Sequence, residues 1–394
     1  MRPFSDEIVL DLTQSIAGPF ATQLLGAMGA DVVKVEPPGG DDFRGLLGGA
    51  MFASFNLGHK RSVCLDLKTE EGRAAAADLA AGADVIIESF RPGVVKKFDL
   101  NYASVRERNE DIVYCSISGF GQDGPYSDRP AYDPVLQSMS GLMSTIGYPD
   151  RPPVRIGASV IDCGTGMTAA FAVAAALLER NRTGEGERVE VSLFEVAVSW
   201  MAYWIAHYSE TCEVPERSAR GGFVGLTPNG VFEAGDGEQL YVSVISDAQF
   251  ERLCVALDRE DLATDERFAA REDRWEHHEE LLATLSTVFE SYNRDNLVKQ
   301  LAAAGVPAGP LHGVDDIPDD PHVVARELLT ETRNLQTDER IETAGVPLST
   351  DRGRPDLGDR PPELGEHPRA VLAGLGYSTE QIERMLAAGS AVEE

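Results

Sequence analysis

Over its first two hundred residues the chain alternates short β-branched runs with stretches of helical spacing, and this alternation restricts the fold more than any other feature. Ile8–Leu12, 32–36, 63–67, Val85–Glu88, 112–116 and Arg188–Ser192 read as strands. Between them, 19–28 followed by Gly29, Glu70–Ala81 and the alanine-rich 161–181 read as helices. Pro just inside a helix start and Gly just past its end suit the backbone angles needed there. Strand–helix–strand in repetition predicts βαβ units, hence an α/β fold with a mostly parallel sheet. The character changes at 211–225, a polar, Gly-containing linker. Residues 230–233 and 239–244 then flank Gly235-Asp236-Gly237 as a hairpin, and charged helical segments follow at 247–257, 276–290 and Arg294–Ala303. A chain of 394 residues exceeds one core of ordinary size. The expected division is a large domain over 1–210 and a small α+β domain over 226–330. Short strands and a helix at 379–387 occupy the remainder, 331–394.

Charge narrows the class of partner. The chain carries 65 acidic and 35 basic residues, net −30, with the acids spread along its length. Lysine is scarce: Lys34, Lys60, Lys68, Lys96, Lys97 and Lys299 are all there are. Such a surface repels nucleic acid and repels itself until salt screens it, the Debye length falling to roughly 3 Å at 1 M. A salt-adapted cytoplasmic protein is expected. The N-terminus lacks a basic segment followed by a long apolar one, and the apolar run at 167–178 is short for a bilayer, so neither secretion nor a membrane is expected. The five cysteines form no CxxC pair, so buried thiols are expected rather than zinc or disulfides.

Few positions can carry chemistry. Asp162 lies just ahead of the apolar helix, before Cys163-Gly164-Thr165-Gly166. It reads either as a helix N-cap or as a carboxylate nucleophile, with the glycines letting backbone N–H groups approach an oxyanion; spacing leaves both open. The loop from Ser15 to Pro19 joins a strand to a helix start, a natural anion site. Lys60-Arg61, and Lys96-Lys97 after Phe90-Arg91-Pro92-Gly93, are candidate phosphate contacts or solvated turns. His277-His278 points in two directions on a helix and reads as surface, with no metal expected.

Several segments together resemble family III CoA-transferases, the family typified by formyl-CoA and carnitine CoA-transferases. These are Val9-Leu10-Asp11-Leu12-Thr13 with Ala17-Gly18-Pro19, the run from Leu25 to Pro37, Asn56 with Lys60-Arg61-Ser62 and Leu65-Asp66-Leu67-Lys68, and the run from Val85 to Gly93. Ser118-Gly119-Phe120-Gly121, Gly124-Pro125-Tyr126, Ala131-Tyr132-Asp133 and the run from Ala304 to Pro310 complete the match, in order, from about 8 to 330.

The resemblance implies a Rossmann-like large domain closed by 331–394, a small domain, and a homodimer of interlocked rings. It implies Asp162 as nucleophile. In such enzymes the carboxylate forms a mixed anhydride with the acyl group and then an aspartyl-CoA thioester, with CoA thioesters as substrates and no resident cofactor. By position it implies CoA contacts at Ser15, Ile16, Ala17, Leu65, Lys68, Ser89, Phe90, Val94, Lys97 and Tyr132, with Phe90 on the adenine, Lys97 on phosphate and Tyr132 near the thioester. Two departures stand out. Pro37 replaces an Arg of some members, leaving Arg44 or Arg61 to compensate, and the glycine-run flap is reduced to Gly221-Gly222 and Gly225. Arg44, Arg155 and Arg220 are candidates for a second substrate carboxylate, which favours succinyl-CoA as donor and mesaconate or a related dicarboxylate as acceptor. A 2-methylacyl-CoA racemase shares the fold but needs a His where this chain has Tyr132. A non-catalytic acyl-CoA-binding subunit is a third reading, opposed by the carboxylate at 162.

Overall fold

The computed structural model describes residues 2–218, 220–223 and 225–393. It divides into two compact units. The first holds residues 1–140, 157–200 and 321–394; the second holds 141–156 and 201–320. Residues 141–156 and 201–210, assigned above to the large domain, therefore group with the second unit, and 321–330, assigned to the small domain, group with the first.

Seven strands form the sheet of the first unit: β1 (Ile8–Leu12), β2 (Asp31–Glu36), β3 (Arg61–Leu65), β4 (Val85–Glu88), β5 (Val113–Ser118), β6 (Arg188–Ser192) and, after β7 to β11 elsewhere in the chain, β12 (Ala391–Val392). Their order is β12-β3-β2-β1-β4-β5-β6. All neighbours are parallel except β12, which pairs antiparallel with β3. The sheet is thus extended by the last residues of the chain. The order 3-2-1-4-5-6 is that of the doubly wound α/β fold, in which the connections leave in opposite directions from β1 and β4 and open a crevice beyond their C-terminal ends.

The local reasons are plain. Every residue of β4 and β5 is buried, as expected for strands covered on both faces, and their sequences are correspondingly rich in Val, Ile, Tyr and Cys, with Glu88, Ser116 and Ser118 toward their C-terminal ends. The helix Glu70–Ala81 starts where the Thr69 hydroxyl accepts from the Gly72 N–H and ends at Gly82. Strand β3 stops at Leu65 rather than 67, because the Asp66 carboxylate accepts from the Lys68 N–H and turns the chain. The core includes Leu10, Val33, Val63, Ile86 and Tyr114, with Ile382 and Met385 of the helix Thr379–Ala388 joining it.

The helix Val160–Thr183 is long and apolar enough by length and composition to cross a bilayer. Here it packs on the helix Ala17–Ala27 and the sheet, so close that a Cβ at Gly166 would lie 2.6 Å from the Ala17 carbonyl oxygen. It is a core helix of the first unit.

The second unit has its own sheet, β7 (Asn229–Glu233), β8 (Gln239–Ser243) and β9 (Ala308–Pro310), antiparallel throughout. The helices Asp247–Ala256, His278–Phe289 and Arg294–Ala303 cover it around Phe250, Leu285, Phe289 and Leu297. The helix expected over 276–290 spans His278–Phe289, and a separate short helix, Arg271–Glu276, precedes it and ends at His277. Strands β10 (Leu329–Arg333) and β11 (Arg340–Ala344) form a separate hairpin of the first unit.

Candidate active site

Two cavities lie along the C-terminal edge of the seven-stranded sheet. The first, about 310 Å³, is lined from the ends of β1, β4, β5 and β6 and includes Ser15, Ala17, Ser89, Phe90, Tyr132 and Asp162. The second, about 130 Å³, sits over the ends of β1, β2 and β3 and includes Leu65 and Lys68. Gln14 and Phe90 line both. The sheet switches direction between β1 and β4, so the loops after these strands meet here: the Gln14 N–H donates to the Ser89 hydroxyl at 3.1 Å.

Seven of the ten expected CoA contacts line these cavities; three do not. Ile16 is buried beneath the loop, at 2% exposure, because it precedes the helix Ala17–Ala27 and points into the core. Val94 and Lys97 lie on the turn after Phe90, where the Lys97 N–H closes on the Val94 carbonyl, and Lys97 is exposed.

Asp162 is the third residue of the helix Val160–Thr183, and it does not cap it. The capping carboxylate comes from Asp133, buried at the start of the helix Asp133–Met139. Its Oδ2 accepts from the N–H groups of Ile161 (2.7 Å) and Asp162 (3.2 Å), and its Oδ1 accepts from the Gln137 amide at 2.5 Å. The first alternative for Asp162 thus falls: the helix end is already satisfied. Among the described residues the Asp162 carboxylate has no hydrogen bond and no ion pair. Burial, and then repulsion from Asp133, push it up to about 7 despite its place at a helix N-terminus, which favours negative charge. At neutral pH it exchanges between acid and carboxylate. As carboxylate it is poorly solvated and unpaired, the condition in which oxygen is most nucleophilic.

The glycines after Asp162 serve packing rather than an oxyanion. A Cβ on Gly164 would sit 2.2 Å from the Trp200 ring, and Gly166 meets Ala17 as noted. Both are within the helix, where N–H groups are committed to carbonyls four residues back.

The basic residues singled out from sequence are mostly structural. Lys60 is buried, its ammonium donating to the Pro19 carbonyl (3.0 Å), Asn56 Oδ1 (3.1 Å) and Asp11 Oδ2 (3.3 Å). Arg61 pairs with Asp31 on the surface. Arg44 is held by both oxygens of Glu36 (2.8 and 2.6 Å) and by the Pro362 carbonyl. Lys60 and Arg44 are therefore not free to replace the Arg missing at Pro37. Lys34, which the sequence did not mark, donates to the Thr13 carbonyl (2.8 Å) and to Asp41 Oδ2 (3.3 Å). Asp41 Oδ1 in turn accepts from the Ser15 N–H (3.3 Å), and Ser15 has φ of +69°, unfavourable for a non-glycine residue. A buried network of Asp11, Lys34, Asp41 and Lys60 therefore supports the cavity loop from below. His277 and His278 bond back to the Asp273 and Trp275 carbonyls of their own segment.

Two cationic groups line the first cavity, Arg91 and Arg129. Arg129, Asp133 as the capping carboxylate, and Gln14 were not recognised from sequence as site residues. Asp133 and Asp162 lie 29 positions apart, and no local spacing connects them.

The model of CoA-transferase family III matches residues 4–368. The chain belongs to CoA-transferase family III. It is an enzyme of the transferase class. A succinyl-CoA:mesaconate CoA-transferase from Haloarcula hispanica is 38% identical over 97% of this chain and 99% of its own. A succinate–glutarate CoA-transferase from Agrobacterium fabrum is 38% identical over 97% of each. Among solved structures, a CAIB/BAIF family protein from Brucella suis superposes with a TM-score of 0.83 at 35% identity, covering 95% of this chain and 99% of that one. The family III match runs through both units.

Proposed function

We propose that this family III enzyme moves CoA from succinyl-CoA to mesaconate or a related dicarboxylate through covalent intermediates on Asp162. The observation that carries the reading is the unpaired Asp162 carboxylate in the cavity at the switch point of the sheet. The names of the relatives support dicarboxylates as the substrate class.

In the first step an Asp162 oxygen attacks the thioester carbon, the C–S bond breaks, and CoA departs as thiolate, leaving a mixed anhydride. The thiolate attacks the Asp162 carbonyl carbon, forming the aspartyl-CoA thioester and releasing succinate. The acceptor carboxylate attacks that thioester and expels the thiolate again. The thiolate finally attacks the acceptor's carbonyl carbon in the new anhydride, and Asp162 is regenerated as carboxylate. Each step exchanges one acyl bond for another, and dividing the transfer in this way lowers each barrier. CoA would run from the second cavity, against Leu65, Lys68 and Phe90, past Ser15, Ala17 and Ser89 to Tyr132 and Asp162.

The working form in this reading is a cytoplasmic homodimer of interlocked rings, acting at high salt. The acidic composition supports the salt requirement. The helix Val160–Thr183 supports the dimer: Met167, Phe171 and Leu178 lie on one side of it and are 50%, 75% and 73% exposed in the single chain, a stripe that a second subunit would cover.

One assay tests the reaction: succinyl-CoA and a panel of carboxylates in D₂O at molar salt, with acyl-CoAs followed by mass spectrometry. CoA appearing on mesaconate or another dicarboxylate without deuterium in the acyl chain is the expected result. Deuterium entering a 2-methylacyl-CoA supplied in the same mixture, with no transfer, would make the protein a racemase, and transfer only among monocarboxylates would remove the dicarboxylate reading. Sedimentation at the same salt tests the dimer; a monomer under turnover conditions would contradict it.

A further inference from the structure

The chain has 65 acids for 35 basic residues, and many of its arginines are ion-paired. Arg129 is different. It lines the cavity that holds Asp162 and Tyr132, and among the described residues its guanidinium has no ion pair and no hydrogen bond. It is nevertheless held in place. The guanidinium carbon lies 3.9 Å from the centre of the Tyr126 ring. Tyr126 meets Phe120 edge-on at 5.5 Å between centroids, and Phe120 packs on Phe194, also at 5.5 Å, at the end of β6. An aromatic column rising from the sheet thus presents a flat, permanently charged fork at the cavity. Stacking occupies a face of the guanidinium and leaves its N–H edges available, the geometry suited to a carboxylate.

We infer that Arg129 receives the remote carboxylate of the dicarboxylate substrate, the one that does not become the thioester. This rests on the dicarboxylate reading above. Two of the alternatives named from sequence do worse. Arg44 is saturated by Glu36, and Arg220 donates to the Val231 carbonyl and the Ser286 hydroxyl. Arg91, the other cation of the cavity, follows Phe90, which faces the second cavity as well, and so stands on the side of the CoA tail. Arg129 precedes Tyr132 and Asp133 by three and four residues, on the loop that leads to the Asp133–Asp162 pair.

The test is the ratio of kcat/KM for succinyl-CoA to that for butyryl-CoA, a donor of the same carbon count without the second carboxylate. In Arg129→Ala the ratio should fall roughly 10- to 100-fold, the ordinary effect of losing a hydrogen-bonded charge, with the butyryl-CoA value nearly unchanged. Arg129→Lys, keeping charge but not the fork, should fall in between. Arg129→Gln repeats the measurement should the alanine variant melt early. An unchanged ratio overturns the inference. So does an equal loss on both donors, which would place the guanidinium on CoA. A fall in the ratio in Arg91→Ala but not in Arg129→Ala would assign the contact to Arg91 and also overturn it. Wild-type enzyme that transfers nothing from succinyl-CoA would instead fail the functional reading, an outcome read before any variant is made.

Discussion

At Asp11 burial is answered by two ammonium groups and two hydroxyls; at Asp162 it is compounded by a second carboxylate. Both lie at the C-terminal edge of the same sheet. Burial alone would raise Asp11, yet Lys34 and Lys60, with Thr13 and Thr22, outweigh it and hold the carboxyl at about 2. Lys34 stays charged for the complementary reason: burial is outweighed by Asp11, Asp41 and Glu36. For Asp162 burial and Asp133 act in the same direction and push it up to about 7. The first region is electrostatically satisfied and fixes backbone. The second is electrostatically frustrated, and frustration of this kind marks groups kept for chemistry.

The largest effect expected from this contrast is on turnover. Asp162→Ala should lower kcat by on the order of 10⁴-fold or more, with a well-folded protein by circular dichroism, because it removes the proposed nucleophile and no side-chain bond seen among the described residues. Near-normal kcat would erase the distinction between the two regions.

Next in size is stability. Lys34→Met leaves Asp41 and the Thr13 carbonyl without their partner and should cost about 3–5 kcal/mol in chemical denaturation, as breaking a buried pair does. Because Asp41 also holds Ser15, the surviving activity should show a raised KM for the CoA thioester more than a lowered kcat. The reverse pattern would detach the network from the site.

A third test uses the opposite signs of the two pKa shifts. The stabilisation from Asp11 is complete above its unfolded value of 3.8 and is lost as pH falls toward about 2. That from Asp162 is present below 3.8 and lost as pH rises through about 7. Asp162→Asn should therefore raise the melting temperature at about pH 8 relative to wild type, and not at about pH 4. Wild-type kcat/KM should rise with pH through about 7 as the carboxylate forms, and Asp133→Asn should move that rise to lower pH.

The smallest effect belongs to the surface. Arg61→Ala removes an ion pair with Asp31 that is partly open to solvent, and should change stability by less than about 1 kcal/mol, less still in molar salt.

What could be read from sequence follows the range of the forces involved. Strands β1, β4 and β6 and the helices Glu70–Ala81 and Arg294–Ala303 appear at their expected bounds, because apolar period and caps such as Thr69 are local. The end of β3 was misjudged because Leu67 continues the apolar alternation past the Asp66 turn. Lys60 read as a solvated turn residue or a phosphate contact, and neither reading found its burial, which depends on Asp11 and Pro19 brought to it by the sheet. Asp162 was legible as a candidate, whereas the fact that releases it from capping, the Asp133 carboxylate on the Ile161 N–H, is a tertiary contact. Arg129 stayed hidden for the same reason: its platform joins Tyr126, Phe120 and Phe194 across the ends of two strands.

The most direct test of the central claim is to find the covalent bond. Enzyme mixed with succinyl-CoA alone, quenched in acid, treated with reductant to remove any disulfide to Cys163 and digested, should yield a CoA adduct on the peptide containing Asp162, absent in Asp162→Asn. An adduct on a different residue, or turnover with no protein-bound CoA or acyl group at any time, would contradict the account.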